Sequence, residues 1–193
     1  CICYNYNNMN PLVQDFLSYL SVEKGYSALT VKDYQRCLAC FDDWRSSRVP
    51  AGNIDEIDGQ TVSQYRLELA DRNLSKSTQN HYLIILRSFL RLLIKRGHDA
   101  VSPDSIELAK VDETPVSFLT SGQVESMVAV CDAGNIRGLR DGAIIELLFS
   151  TGLRVSELCS LDRFQVNLQN RAFSITDKGG RVRLVFLTPK AVE

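Results

Sequence analysis

Three side chains in the C-terminal part of the chain have types and spacing suited to work on a phosphate ester: Arg154, Glu157 and Lys178. A guanidinium offers several N–H donors in a rigid fork, so it can bond two oxygens of a phosphodiester at once. Glu157 follows Arg154 by three residues, which on a helix puts the carboxylate on the same face, close enough to hold the arginine in place. Lys178 precedes Gly179-Gly180. An ammonium on a flexible stem at a turn can swing into a site and deliver a proton to a leaving oxygen. Taken alone, each signal is weak. An Arg and a Glu three apart are most often a solvated ion pair worth a few tenths of a kcal/mol, and a lysine before two glycines is most often an ordinary surface turn.

The elements that must position these groups follow from the pattern around them. Ala143, Ile144, Ile145, Leu147, Leu148 and Phe149 are apolar almost all round, which predicts a helix buried in a core. Gly152 is placed to close it in the left-handed conformation. A second helix is expected from about Val155, with Arg154 at the joint and fixed between two buried helices. The period then changes to alternation. Phe164 and Val166 predict one short strand, 172–175 a second and 182–187 a third, with a polar turn at 167–170 and Lys178 at the tip of the second hairpin.

Read in order, these segments resemble the opening of the catalytic domain of the tyrosine recombinases, the Xer and phage-integrase family. TGLRVSEL matches the first-arginine motif of that family, and DKGGRVRLVFL matches its hairpin-lysine motif. The resemblance implies that Arg154 is the first catalytic arginine, Glu157 its acidic partner and Lys178 the hairpin lysine. It also aligns Arg183 with the arginine that often closes the hairpin motif, here counted among the DNA-contacting residues. Asp177 stands where a glycine is usual and Phe186 where a proline is common. The family's later motifs, a His-x-x-Arg, a further His or Trp and the nucleophilic tyrosine, have no counterpart among the 193 residues.

Taken from the start, the chain has ordinary globular composition, with 45% apolar and 23% charged residues and a net charge of -1. That balance excludes a uniformly basic nucleic-acid binder, so any such activity must come from a local patch. No segment reaches membrane-spanning length, and the start lacks a secretory signal. Residues 1–9 read as a tail, with Met9 placed as an initiator would be. Six cysteines without an export signal read as reduced thiols, which points to the cytoplasm. Cys37 and Cys40 form a CxxC inside a helical pattern, with no second well-spaced pair, so buried helix thiols are expected and no metal.

A helical bundle is expected over residues 10–100. Its helices run over about 11–24 and 28–48, then from the residues around Val62, Tyr65 and Leu69, then from Ser75 to Gly97; Leu29, Tyr34, Leu38, Phe41 and Trp44 form the apolar face of the second. From residue 76 to 97 there are Lys76, Arg87, Arg91, Lys95 and Arg96 and no acid. Arg87, Arg91 and Lys95 stand four apart, a row suited to a track of phosphates and equally to a solvated face. Thr78, Asn80 and His81 are short polar groups able to reach phosphates or base edges, although a lone histidine is more often a surface residue. GYSALTVKDYQRCLACFDDW and LSKSTQNHYLIILRSFLRLLIKRG resemble two helices of the recombinases' core-binding domain, which is similar to a SAM-like fold and clamps duplex DNA.

Residues 101–117, with Pro103 and Pro115, read as an interdomain linker, and 118–193 as a partial catalytic domain. In the latter, Thr120 or Ser121 caps a helix running to Cys131, and a turn is expected at 132–138. The fold class expected is mainly α with a small antiparallel β-ribbon. By resemblance, the partners are duplex DNA and other recombinase subunits in a tetramer on two DNA sites. The reaction that the resemblance implies is cutting and rejoining of DNA through a phosphotyrosine, with no metal or nucleotide cofactor. Because the 193 residues hold no nucleophile in the family's position, the alternative is a non-catalytic DNA-binding or regulatory protein built from the same parts. A helical module that binds only proteins is a third reading, disfavoured by the acid-free basic helix.

Overall fold

The computed structural model describes residues 9–48, 57–111, 115–176 and 180–193. The chain divides into two compact units, residues 1–113 and 114–193.

The first unit is a bundle of four helices, α1 (Pro11–Val22), α2 (Ala28–Arg48), α3 (Gly59–Asp71) and α4 (Lys76–Lys95). Local chemistry sets their ends. Asn10, Asp58 and Ser75 each accept a backbone N–H of the first turn of α1, α3 and α4, supplying a partner to groups that the helix itself leaves unpaired. Pro11 occupies the first position of α1, where its missing N–H costs nothing. The expected loop at 49–58 lies mostly outside the described residues.

Apolar residues at helical spacing meet in one core. Phe16 meets Phe89 edge-on at 5.4 Å, and Phe41 meets Tyr65 edge-on at 4.9 Å, an arrangement the aromatic quadrupole favours. Leu38, Leu69, Leu90 and Leu93 fill the space between them, and Cys37 and Cys40 are buried among these side chains. Leu29, expected on the apolar face of α2, instead faces solvent, because the first turn of that helix runs beyond the core.

The segment after α4, expected as linker, folds back on the bundle as far as Ala109. The Val101 N–H donates to Ile57 O, a single 3-10 turn at Pro103–Ser105 buries Pro103, and Ile106 joins the core.

In the second unit, α5 (Ser121–Ala129) opens with a reciprocal capping box between Thr120 and Gln123, and α6 (Ile136–Thr151) opens on Asn135. The turn expected through residue 138 is therefore shorter, because the Asn135 side chain accepts from the N–H groups of Arg137 and Gly138 and starts the helix early. Next come α7 (Val155–Cys159), the antiparallel pair β1 (Ala172–Thr176) and β2 (Val182–Phe186), and α8 (Pro189–Val192). Phe173 pairs with Val185 and Ile175 with Arg183. Phe173, Ile175 and Val185 meet Leu153 and Leu187 in a small core.

Two expectations fail in this unit. α6 is not buried all round: Phe149 is 51% exposed and Ala143 faces solvent, since α5, α8 and β2 cover only part of its circumference. The first of the three expected strands is missing as well. Asp162 accepts the Phe164 N–H while Gln165 reaches back to the Asp162 N–H, which winds Arg163–Gln165 into a 3-10 turn and leaves Phe164 exposed. Such local side-chain bonds compete directly with a strand ladder. At the expected turn over 167–170, a single bridge between Asn167 and Ala172 has β character among the described residues.

Candidate functional site

Gly152 closes α6 at φ 61°, a backbone shape that only glycine adopts freely, and its N–H returns to Leu148 O. Leu153 then drops into the core, and Arg154 becomes the N-cap of α7. The sharp exit from α6 thus turns the Arg154 side chain outward.

One carboxylate organises what surrounds it. Glu157 Oε2 accepts the backbone N–H of Arg154 at 2.8 Å, and Glu157 Oε1 accepts Arg154 Nη1 at 2.7 Å. From β2, Arg183 Nη2 donates to Glu157 Oε2 at 2.7 Å. The Arg154 backbone N–H is the largest influence on this group. Against the opposing effect of partial burial, that bond and the two guanidinium groups pull the Glu157 carboxyl down from 4.5 to about 2. It is ionised at any physiological pH.

Arg154 itself is 68% exposed, and no residue of α7 is buried. The expected clamping between two buried helices is therefore replaced by clamping through Glu157. Among the described residues, Arg154 Nε and Nη2 bond nothing, so a preoriented guanidinium faces outward with donors to spare. Such a pair of arginines, held by one anion, can stabilise charge building on a phosphate oxygen. Sequence reasoning paired Arg154 with Glu157, but it did not foresee that Arg183 shares the same carboxylate from 26 residues away. Lys178 lies outside the described residues; the ladder closes on Thr176 opposite Val182.

In the first unit, Lys76, Arg91 and Lys95 are exposed along α4, and Arg87 is half-buried. Asp104, from the segment folded back on the bundle, places one carboxylate oxygen 3.7 Å from Arg87 and 3.8 Å from Arg91. Lys95 lies over the Tyr19 ring at 5.9 Å, a cation–π distance. Thr78 shares a hydrogen bond with the capping Ser75. His81 bonds Asp33 of α2 at 2.7 Å and is thus drawn toward α2.

Asn80 is not a surface group. It is buried, its Nδ2 donates to Ala109 O at 2.7 Å and its Oδ1 accepts the Ala109 N–H at 2.9 Å. Both functions of the amide are spent on the chain's own backbone, which removes Asn80 from the expected contact set. No sequence signal marks Asp104 or Ala109 as partners of α4, because both lie in a stretch without periodicity.

A helical bundle followed by an arginine-bearing helix junction and a β-ribbon is an architecture found in known proteins. Residues 13–97 match the family model for the phage integrase N-terminal SAM-like domain, and residues 117–193 match that for the phage integrase family. The chain belongs to this family, the tyrosine recombinases. It is 32% identical to the tyrosine recombinase XerC of Bacillus pumilus (strain SAFR-032) over 179 residues, which cover 92% of this chain and 58% of that protein. It is 31% identical to the tyrosine recombinase XerD of Lacticaseibacillus casei over 186 residues, covering 96% of this chain and 62% of that one. The chain thus spans about three-fifths of the length of these relatives. Among solved structures, the Tn1549 transposon integrase in complex with transposon right end DNA matches with a TM-score of 0.72 at 20% identity, over 94% of this chain and 62% of that one. The lambda integrase tetramer bound to a Holliday junction matches with a TM-score of 0.71 at 17% identity, over 98% and 55%. These two likenesses are of fold. Among the described residues, no helix is long and apolar enough to cross a membrane.

Proposed function

We propose that this chain supplies the DNA-binding bundle and the first catalytic arginine of a site-specific tyrosine recombinase, acting on DNA inside the cell. The observation that carries the reading is the joint hold of Glu157 on Arg154 and Arg183, within the family's first-arginine motif. Attack on a phosphodiester builds negative charge on the non-bridging oxygens, and Arg154 stabilises it where it develops. Glu157 orients the arginine and does not react. Lys178 delivers a proton to the departing 5′ oxygen. The bond to phosphorus is formed by a tyrosine oxygen, and all seven tyrosines here lie from Tyr4 to Tyr82, within or before the bundle. Residues 1–193 by themselves therefore bind duplex DNA without cutting it. Arg87, Arg91, Lys95 and Lys76 of α4 follow the phosphates, with Thr78 and His81 near the start of the helix. Further subunits join this chain in a tetramer on two DNA sites, a reading supported by the fold it shares with lambda integrase, which is a tetramer on a Holliday junction.

The test is binding of this chain to duplex DNA across a range of salt. Arg87→Ala and Arg91→Ala should each flatten the logarithmic salt slope by about one and weaken binding to all sequences alike. In a recombinase chain that carries the nucleophile, Arg154→Ala should slow strand cleavage by about a hundredfold or more while binding persists. Absence of binding at low salt, or a covalent DNA adduct formed by residues 1–193 alone, overturns the reading.

A further inference from the structure

Asp33 and Cys37 lie one helical turn apart on α2, and His81 comes from α4 to meet them. One ligand atom from each, a carboxylate oxygen, the Sγ and a ring nitrogen, all lie within 4.8 Å of one another. We propose that these three residues form a binding site for a sulfur-seeking divalent cation of the zinc class, cross-linking α2 to α4.

The donor set fits that cation. Zinc bonds to sulfur at about 2.3 Å and to nitrogen or oxygen at about 2.0–2.2 Å, so its ligand atoms stand about 3 to 4 Å apart. His81 Nε2 and Asp33 Oδ2 are already 2.7 Å apart and need only open slightly, while the thiol closes in. One carboxylate and one thiolate cancel the charge of the ion. Cys37 is buried, whereas Asp33 and His81 face partly outward, so three protein ligands leave a fourth position open to water. On binding, the Cys37 S–H bond breaks, the sulfur keeps the electron pair for the metal and the proton passes to solvent. Thiol, imidazole and carboxylate together favour zinc over magnesium or calcium, which prefer oxygen alone.

Arg36 touches the cluster directly and Tyr82 touches Arg36, while Cys40 lies near Cys37 and Tyr34 near Asp33. Arg36 Nη2 bonds Asp33 Oδ1 at 2.8 Å and lies 3.6 Å from Cys37 Sγ, while Nη1 bonds the Tyr82 hydroxyl at 3.0 Å. The guanidinium already places positive charge against two of the three ligands, so the metal binds in competition with it. Because it uses Oδ1, the Oδ2 atom that meets His81 is left for the metal, and Arg36 orients the carboxylate from behind, as outer-shell partners do.

The test uses the 193-residue chain with Cys1→Ser, Cys3→Ser, Cys131→Ser and Cys159→Ser, so that no other exposed or terminal thiol contributes. Zinc is titrated in competition with a chromogenic chelator, and cobalt(II) serves as a spectroscopic probe. The expected result is one ion per chain, with a sulfur-to-cobalt charge-transfer band that Cys37→Ser abolishes and Cys40→Ser leaves intact. His81→Ala, at an exposed position where folding is not at stake, should weaken zinc binding by at least about tenfold. Zinc affinity unchanged by His81→Ala, or a cobalt spectrum without the sulfur band, overturns the proposal. The result is independent of whether the chain binds DNA.

Discussion

Replacing Asn80 by alanine separates a structural amide from a DNA contact. In the folded chain this side chain makes two hydrogen bonds with one backbone unit, at 2.7 and 2.9 Å to Ala109. Each such bond contributes about 1 kcal/mol net, so losing both costs about 2 kcal/mol. The figure does not climb further, because Ala109 is exposed and its freed N–H and carbonyl turn to water. For a domain of this size, 1 kcal/mol moves the melting point by about 4 °C, which puts Asn80→Ala about 8 °C below the parent. Asn80→Asp should do no better, since it keeps the acceptor but sets a carboxylate oxygen against the Ala109 carbonyl. A circular-dichroism melt gives the shift, and the salt slope of DNA binding should stay at the parent value in both variants. A melting point within about 2 °C of the parent, coupled with weakened DNA binding, would refute the clamp and return Asn80 to the contact surface.

Two further outcomes test the second unit. The Glu157 carboxyl is held at about 2 against an ordinary 4.5, so between these values the unfolded chain binds the additional proton. The pairing with Arg154 and Arg183 is therefore in full force above pH 4.5 and is lost as the pH falls through 2, a dependence that Glu157→Gln removes. Following the side-chain carboxyl carbon by NMR gives the value directly, and titration near 4.5 would contradict the geometry. Gly138 sets two effects against each other. Helix propensity alone makes Gly138→Ala stabilising by up to about 1 kcal/mol. Yet an added Cβ would run into the Asp132 carbonyl oxygen, backbone that no rotamer change can move aside. The net result should be a loss of about 1–3 kcal/mol, seen as a lower melting point. Gly142→Ala in the same helix meets only Cys131 Cβ at an ordinary 3.7 Å, and should be neutral or stabilising. A rise in melting point for Gly138→Ala would sink the steric argument.

What could be read from the sequence was whatever is decided within a few residues. Ser75, Thr120 and Gly152 act at helix ends as their types suggest, because a cap needs only its own turn. The bounds of α2 coincide with the expected 28–48 for the same reason. Pairings over longer distances were not legible. Asp33 meets His81 across 48 residues, and Asn80 meets Ala109 across 29. Periodicity assigns a residue to a face of a helix but does not say what packs on that face. His81 and Asn80 are adjacent in sequence, and both read as short polar groups free to meet DNA. The fold sends one toward α2 and the other under the returning segment.

The apolar run of α6 shows the converse. Its composition states how much surface the helix needs covered, not how much its neighbours in the fold supply. With α5, α8 and β2 against it, the helix still exposes Ile136, Leu139 and Phe149. If the geometry of Arg154 depended on the burial of that helix, it would be loose. It does not: the αL turn at Gly152 is local, and the anion that fixes the guanidinium is supplied three residues downstream. Among the described residues the only distant partner is Arg183, and the β1–β2 ladder carries it to Glu157 by pairing it with the buried Ile175. The arginine pair is thus set by one tight turn, one carboxylate and one strand register. Its geometry should persist whatever comes to cover α6.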